Sequence, residues 1–374
     1  MLQQTIQLSF TYPVIFTRAA FDPANPRLID AVSRLEPDRV HRTAVVIDEG
    51  VAVGRPGLED TIRAYSPRLD IAGVRVVPGG ERAKAGLALV DDLHRWLLSL
   101  RIDRQSVVLA VGGGAVLDMA GFAAATFHRG VRMVRLPTTV LAQNDAAVGV
   151  KNGVNQAGVK NLIGSFATPF AVVADFDFLD TLAPRDRLAG LSEAVKVAAT
   201  RDAAFFRALE RDAGALAAFA PGPTEAMIRR SAELHLDHIA TGGDPFELGS
   251  ARPLDFGHWA AHKLESMTAH RLRHGEAVAI GMALDCLYAV EAGLLAAAEA
   301  GRVIDLLAAL GFRLWDDAMA DRATLARGLD EFREHLGGRL TVAMLAGIGR
   351  SVDVHAIDTC ALDRALAALE RRGS

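Results

Sequence analysis

The strongest constraint on this chain is an alternation in its first half: short β-branched runs at 43–47, 74–77 and 107–111 are separated by longer amphipathic stretches such as 87–100. Apolar residues spaced for a strand and then for a helix, repeated, point to a parallel sheet with helices on its faces, since parallel neighbours need a crossover long enough to hold a helix. Further strands are expected at 133–136 and 171–174. After Asp180 an Ala- and Leu-rich helical periodicity takes over, with few strand-like runs to the end. The expectation is an α/β fold: a Rossmann-like, parallel-sheet domain over 1–180, then an α-helical domain over 181–374. Pro221-Gly222-Pro223 reads as a turn between helices, and Gly242-Gly243-Asp244-Pro245 as the start of a loop.

Composition narrows the partners. With 374 residues, 51% of them hydrophobic, the chain can bury two cores. Its 45 acidic and 41 basic residues are dispersed and leave a net charge of -4, so no basic stripe offers itself to a nucleic acid backbone. Cys286 and Cys360 have no paired spacing, which excludes a disulfide framework and a thiolate metal cluster and favours a reducing cytosol. No basic lead with a continuous apolar run opens the chain, and no stretch of about 18 apolar residues lacks a charge, so neither export nor a membrane span is expected.

The run 107–111 leads straight into Gly112-Gly113-Gly114 and a small, apolar stretch over 115–126. Such a strand, glycine turn and helix lets the backbone and a helix N-terminus approach a pyrophosphate, although the spacing is not GxGxxG. Asp48 follows the first run, Gly79-Gly80-Glu81 with Lys84 follows the second, and Thr138 and Thr139 follow Leu136. All fall at the carboxyl ends of the expected strands, where ligands of open parallel sheets bind. Arg129, Asp145, Lys151, Lys160 and Asn161 stand in an otherwise Ala-, Val- and Gly-rich stretch, which reads as a glycine-loosened loop able to wrap a phosphate or as a solvated basic loop.

In the second half, Glu193 and Lys196 share one face of an apolar helix over 188–200, where a buried charge needs a partner or a metal. Asp255, His258 and His262 are spaced for one helical stripe, and His274-Gly275-Glu276 follows. Three histidines with a carboxylate form the donor set that zinc and its relatives use. Spacing leaves open which imidazoles bind, and the His258–His262 pair with His274 or Glu193 is one possibility.

At these residues the chain resembles the dehydroquinate synthase-like sugar phosphate cyclases over about 48–355. The matching stretches are Gly112-Gly113-Gly114 with Asp118, Arg129-Gly130, Leu136-Pro137-Thr138-Thr139, Asp145 with Lys151, Lys160-Asn161, Glu193 with Lys196, 255–258, and His274-Gly275-Glu276. The resemblance implies metal ligands at Glu193, His258 and His274, with Zn2+ or Co2+ as the ion and His262 facing the substrate. It implies NAD contacts at Asp48, Glu81, Lys84, Gly113, Gly114, Asp118, Thr138, Thr139, Lys160, Phe178, Thr181 and Leu182. It also implies a homodimer in which Arg129 reaches the neighbouring subunit's substrate. The implied reaction is a transient NAD oxidation, elimination of phosphate, return of the hydride, and ring opening with aldol closure. Lys151, Lys196 and Asn161 would hold phosphate and developing charge, while Asp145 and Glu247 bind hydroxyls or water.

True dehydroquinate synthases grip a substrate carboxylate with a lysine and an arginine, and usually carry asparagine at the position of Asp255. Here the arginine position reads Ala251, with Arg252 one residue displaced, and the lysine position falls near Asp237. An acidic or neutral pocket disfavours a carboxylate. Asp244-Pro245-Phe246-Glu247, 252–258 and 330–338 look more like the cyclases that convert sedoheptulose 7-phosphate to valiolone-type cyclitols. The expectation is therefore a ketose phosphate cyclase, with 3-dehydroquinate synthase and a metal-dependent polyol dehydrogenase as alternatives.

Overall fold

The computed structural model describes residues 1–6, 8–65, 69–157, 159–242, 244, 246, 254–335 and 338–373. The chain forms two compact units, Met1–Leu182 and Ala183–Ser374.

The strands of the first unit are β1 (Val14–Thr17), β2 (Arg42–Asp48), β3 (Asp70–Val77), β4 (Val107–Gly112), β5 (Arg132–Pro137), β6 (Lys151–Gln156), β7 (Val159–Phe166) and β8 (Ala171–Asp175). Six of them make one parallel sheet in the order β1-β8-β5-β4-β2-β3. Every residue of β4 is buried, as a strand covered on both faces requires, and this is why it reads as an unbroken apolar run. The two-residue period divides the core: Val46, Val108 and Ala110 pack on one face, Val45, Ile47, Leu109 and Val111 on the other. The helices α1 (Arg27–Ser33), α2 (Glu49–Gly54), α3 (Leu58–Ala64), α4 (Ala88–Ser99) and α5 (Gly114–Thr126) complete the layers. After β2 the chain goes out to β3 and returns to β4 on the other side of β2. The crevice between the ends of β2 and β4 is thus a topological switch point, where open sheets of this type hold ligands.

The expected loop over 151–161 is instead part of a separate antiparallel ribbon, β6 with β7. Its glycines serve close pairing rather than looseness: a Cβ on Gly153 would lie 2.8 Å from the carbonyl oxygen of Ile163, and one on Gly164 would overlap that of Asn152.

The second unit contains α6 (Pro184–Ala189), α7 (Leu191–Arg201), α8 (Ala203–Ala217), α9 (Pro221–Thr241), α10 (His258–Met267), α11 (His274–Glu291), α12 (Ala297–Ala309), α13 (Arg322–His335), β9 (Val342–Gly347), β10 (Arg350–Val354) and α14 (Thr359–Gly373). It is helical, as expected, apart from the antiparallel pair β9–β10. α11 is apolar almost all round and is the buried centre of the unit, with every residue over 277–286 buried. Among the described residues no helix is long and apolar enough to cross a membrane. Three readings are corrected. Pro221-Gly222-Pro223 does not separate helices but opens α9, where a proline in the first turn loses no hydrogen bond. The stretch 188–200 is split at Gly190 between α6 and α7. Gly257, at φ 82°, starts α10 at His258, so Asp255 precedes the helix instead of extending its stripe.

Candidate metal and nucleotide sites

In the second unit, three helices bring Glu193, His258 and His274 together, with one donor atom from each lying within 4.8 Å of the others. Glu193 stands in the first turn of α7 and is 1% exposed; His258 and His274 are the first residues of α10 and α11. Oε1 of Glu193 accepts no hydrogen bond among the described residues. Facing it are His258 Nε2 at 3.8 Å and His274 Nε2 at 3.6 Å, beyond hydrogen-bond reach. Two donors about 2.1 Å from a tetrahedral zinc ion stand roughly 3.4 Å apart, so these separations suit an ion between the groups.

The other ring nitrogens are already used. His258 Nδ1 lies 3.2 Å from the carbonyl oxygen of Phe256, and His274 Nδ1 lies 3.1 Å from Oε2 of the buried Glu265. Nδ1 engaged with each acceptor leaves Nε2 of both rings facing the carboxylate, the arrangement that orients histidine ligands; at His274 an ion would take the place of the Nε2 proton. Lys196 closes an ion pair on the other oxygen of Glu193. Burial alone would raise the carboxyl pKa of Glu193, but Lys196 and the His274 imidazole hold it well below the usual range. Burial, reinforced by Lys196, keeps the His258 imidazole neutral. At His274 burial opposes protonation, yet the carboxylates of Glu193 and Glu265 lift its pKa to about 9. His262, one turn into α10, is exposed, with its ring 5.5 Å from that of His258 and 6.1 Å from that of His274. His262, Glu265 and His274 also come within 4.8 Å, but Glu265 meets His274 through Nδ1, away from Glu193.

In the first unit, Asp48 ends β2 and caps α2, accepting from the N–H of Gly50 at 2.7 Å and from those of Gly113 and Val51. Burial raises its carboxyl pKa and these donors oppose the rise. A Cβ on Gly79 would overlap the Asp48 carboxylate, so glycine there lets the ends of β2 and β3 meet. Gly113 precedes α5, whose N-terminus has no side-chain cap, and the buried hydroxyl of Thr138 has no hydrogen-bond partner among the described residues. A phosphate-bearing ligand fits these donors. Thr139 is turned back, accepting from Ala142 N. Lys84 is buried and bonds Asp118 at 2.7 Å and the side chain of Asn161; Asn155 donates to Glu81 at 3.2 Å and accepts from Asn161 N, and Lys160 lies 3.7 Å from Glu81. The ribbon thus joins Asn161 and Lys160 to the nucleotide candidates. Phe178 is wholly buried beneath Arg55, so its side chain is core and only its backbone is available to a ligand. Thr181 packs beside Gly54 at the end of α2, and Leu182 closes the unit.

Asp145 lies in a π-helical turn, Ala142–Ala146, and Lys151 is the exposed first residue of β6. Between them runs a segment held from inside by Arg135 of β5, 1% exposed. Its guanidinium donates to the carbonyl oxygens of Ala147 (2.9 Å), Gly149 (2.7 Å) and Lys151 (3.3 Å) and to Asn152 Oδ1 (2.7 Å). Arg129 is exposed, follows His128 in left-handed backbone (φ 64° and 51°), and makes no ion pair among the described residues. Glu247, Ala251 and Arg252 lie outside the described residues. Asp237 is on the exposed side of α9. Glu265, Asn155 and Arg135 were not singled out from sequence. The first had a signal, being spaced at i+7 from His258 on the His258–His262 stripe.

Residues 74–189 match the family model for the 3-dehydroquinate synthase N-terminal domain, and 190–330 match that for its C-terminal domain. A 3-dehydroquinate synthase of Paracoccus denitrificans (strain Pd 1222) is 38% identical over 87% of this chain and 89% of its own length. A 2-epi-5-epi-valiolone synthase of Streptomyces glaucescens is 35% identical over 97% of this chain and 92% of its own. The solved structure of the 2-epi-5-epi-valiolone synthase ValA from Streptomyces hygroscopicus subsp. jinggangensis 5008, with NAD+ and Zn2+ bound, superposes with a TM-score of 0.89 at 30% identity, covering 99% of this chain and 100% of that one.

Proposed function

Because the chain belongs to the 3-dehydroquinate synthase family, we propose that it is a sugar phosphate cyclase that eliminates phosphate from a ketose phosphate of the sedoheptulose 7-phosphate type and closes the product to a cyclitol. The observation that carries this reading is the superposition on a valiolone synthase along nearly the whole chain. In this reading Glu193, His258 and His274 hold Zn2+ or Co2+, and Asp48, Glu81, Lys84, Gly113, Gly114, Asp118, Thr138, Thr139, Lys160, Phe178, Thr181 and Leu182 line the NAD site. Support for the metal set is the pair of Nε2 atoms aimed at the buried Glu193 carboxylate.

Bound there, the two cofactors supply a reversible oxidation of one ring hydroxyl and a Lewis acid for its oxygen, which acidifies the adjacent carbon. The chain's own residues do the rest. Lys151 and Asn161 grip the phosphate, whose departure they ease by neutralising its growing charge. Lys196 keeps Glu193 ionised. Asp145, Asp255 and Glu247 bind hydroxyls or water, and His262 faces the sugar. Arg129 acts on the substrate of a second subunit, which makes the enzyme a homodimer. The unpaired Cys286 and Cys360 suit a reducing cytosol.

A second reading, 3-dehydroquinate synthase, draws on the identity to the Paracoccus enzyme. The purified protein with NAD+ and Zn2+ or Co2+ is to be incubated with sedoheptulose 7-phosphate or with the carboxylated heptulosonate phosphate, and phosphate and cyclic product measured. Release from the non-carboxylated sugar is expected. Release only from the carboxylated one overturns the first reading in favour of the second, and net NADH production from a simple polyol overturns both.

A further inference from the structure

We propose that Asp285 is a positioning residue for the metal centre, fixing His258 by holding the residues on either side of it; the inference rests on the metal reading above. α10 and α11 each begin on a candidate ligand, and their backbones touch. A Cβ on Gly281 would overlap the carbonyl oxygen of Gly257, and one on Gly257 would lie 2.7 Å from Met282 N. Asp285 comes eleven residues after His274, about three helical turns, and so shares its stripe on α11. It is fully buried.

Its Oδ2 accepts from Gly257 N at 2.9 Å and its Oδ1 from Trp259 Nε1 at 2.8 Å. Those two donors bracket His258. One carboxylate on the helix that starts at His274 therefore ties down the first turn of the helix that starts at His258. A hydrocarbon side chain would fill this apolar place without the desolvation cost of a carboxyl group. What the carboxyl group adds is direction: one peptide N–H and one indole N–H are held at a set position along α11, and the imidazole between them can neither rotate with its turn nor slide along the neighbouring helix.

The test is Zn2+ affinity, by chelator competition, together with the visible absorption of the Co2+ form, in Asp285→Asn, Trp259→Phe and Leu284→Ala. Leu284 is a wholly buried neighbour on α11 and serves as the control for lost core packing. Asp285→Asn sets an amide against two N–H donors and is expected to weaken Zn2+ binding by roughly 10- to 100-fold and to alter the Co2+ spectrum. Trp259→Phe removes one donor only and should move both readouts less, in the same direction; it carries the test if the asparagine variant fails to fold. Leu284→Ala should melt earlier with unchanged affinity and spectrum. Equal loss of affinity in Leu284→Ala, or wild-type affinity and spectrum in both Asp285→Asn and Trp259→Phe, overturns the inference. His258→Ala separates the two readings: if it still binds Zn2+ normally, the ligand assignment fails and this inference with it, whereas loss there beside normal binding in Asp285→Asn sinks the inference alone.

Discussion

Glu265 contributes no atom to the three-donor set, yet it determines which nitrogen of His274 is left for an ion. Glu265→Gln, which can still accept at Nδ1 but without charge, should bind Zn2+ about 10-fold more weakly, and Glu265→Ala more weakly still. His274→Ala should lose the metal altogether, while His262→Ala keeps it and turns over poorly; metal analysis of the two purified variants decides, and equal loss would mean His262 is a ligand. Asp285 yields a pH prediction. Burial pushes its carboxyl pKa up to about 7, against the bonds from Trp259 and Gly257, from an ordinary value of 3.8. Between those values the folded chain holds a proton that the unfolded chain has released, so stability falls as pH rises, by at most about 1.4 kcal/mol per unit. Urea unfolding of metal-free protein should show the advantage of wild type over Asp285→Asn to be larger near pH 5 than near pH 7, and a pH-independent difference would falsify the shift. The candidate donors were legible as a group, because a carboxylate and histidines at helical spacing in apolar surroundings are rare, but the choice of Glu193, His258 and His274 among them came from the resemblance and not from spacing. Asp285 and Arg135 carried the same signal, lone charges in apolar runs, but what they hold is backbone, an indole and the Asn152 amide, which only the packed fold brings near.

Among the elements, the strands over 43–47, 74–77, 107–111, 133–136 and 171–174 were all readable, because strands inside a covered parallel sheet are near-continuous apolar runs and the half-buried edge strand β3 still keeps valine at 74, 76 and 77. β6 and β7 were not. Lys151-Asn152-Gly153 and Lys160-Asn161 have poor strand propensity, and their pairing depends on backbones meeting at Gly153 and Gly164. β9 went unread for the opposite reason, since a short apolar run can be helix or strand. The ribbon's seat on α5 gives a prediction. A Cβ on Gly121 would overlap Asn152 Oδ1, the atom that Arg135 bonds. Gly121→Ala should therefore cost about 1–3 kcal/mol in urea unfolding and reduce kcat through displacement of the adjacent Lys151. Retention of both values would show that the ribbon can shift without consequence.

At the scale of the whole molecule, the position of Arg129 makes the quaternary reading testable. If this exposed arginine serves the partner's substrate, Arg129→Ala and Lys151→Ala are each inactive alone. Dissociated and mixed in equal amounts, they should regain about a quarter of wild-type activity, since half the dimers are mixed and each holds one intact site. No recovery in proven mixed dimers would place Arg129 in its own subunit's site. Such a contribution from another copy cannot be read from one chain's periodicity, and it reached the reading only through resemblance. Arg135 bears on how the enzyme can change. Its guanidinium grips three carbonyl oxygens between Ala147 and Lys151, atoms that every amino acid possesses. Side chains along that segment can therefore drift, within the volume available, without loosening the anchor, whereas Arg135 itself cannot be exchanged for lysine without losing the fork. Libraries meant to widen the substrate range can diversify the segment before Lys151 while leaving this one internal position constant.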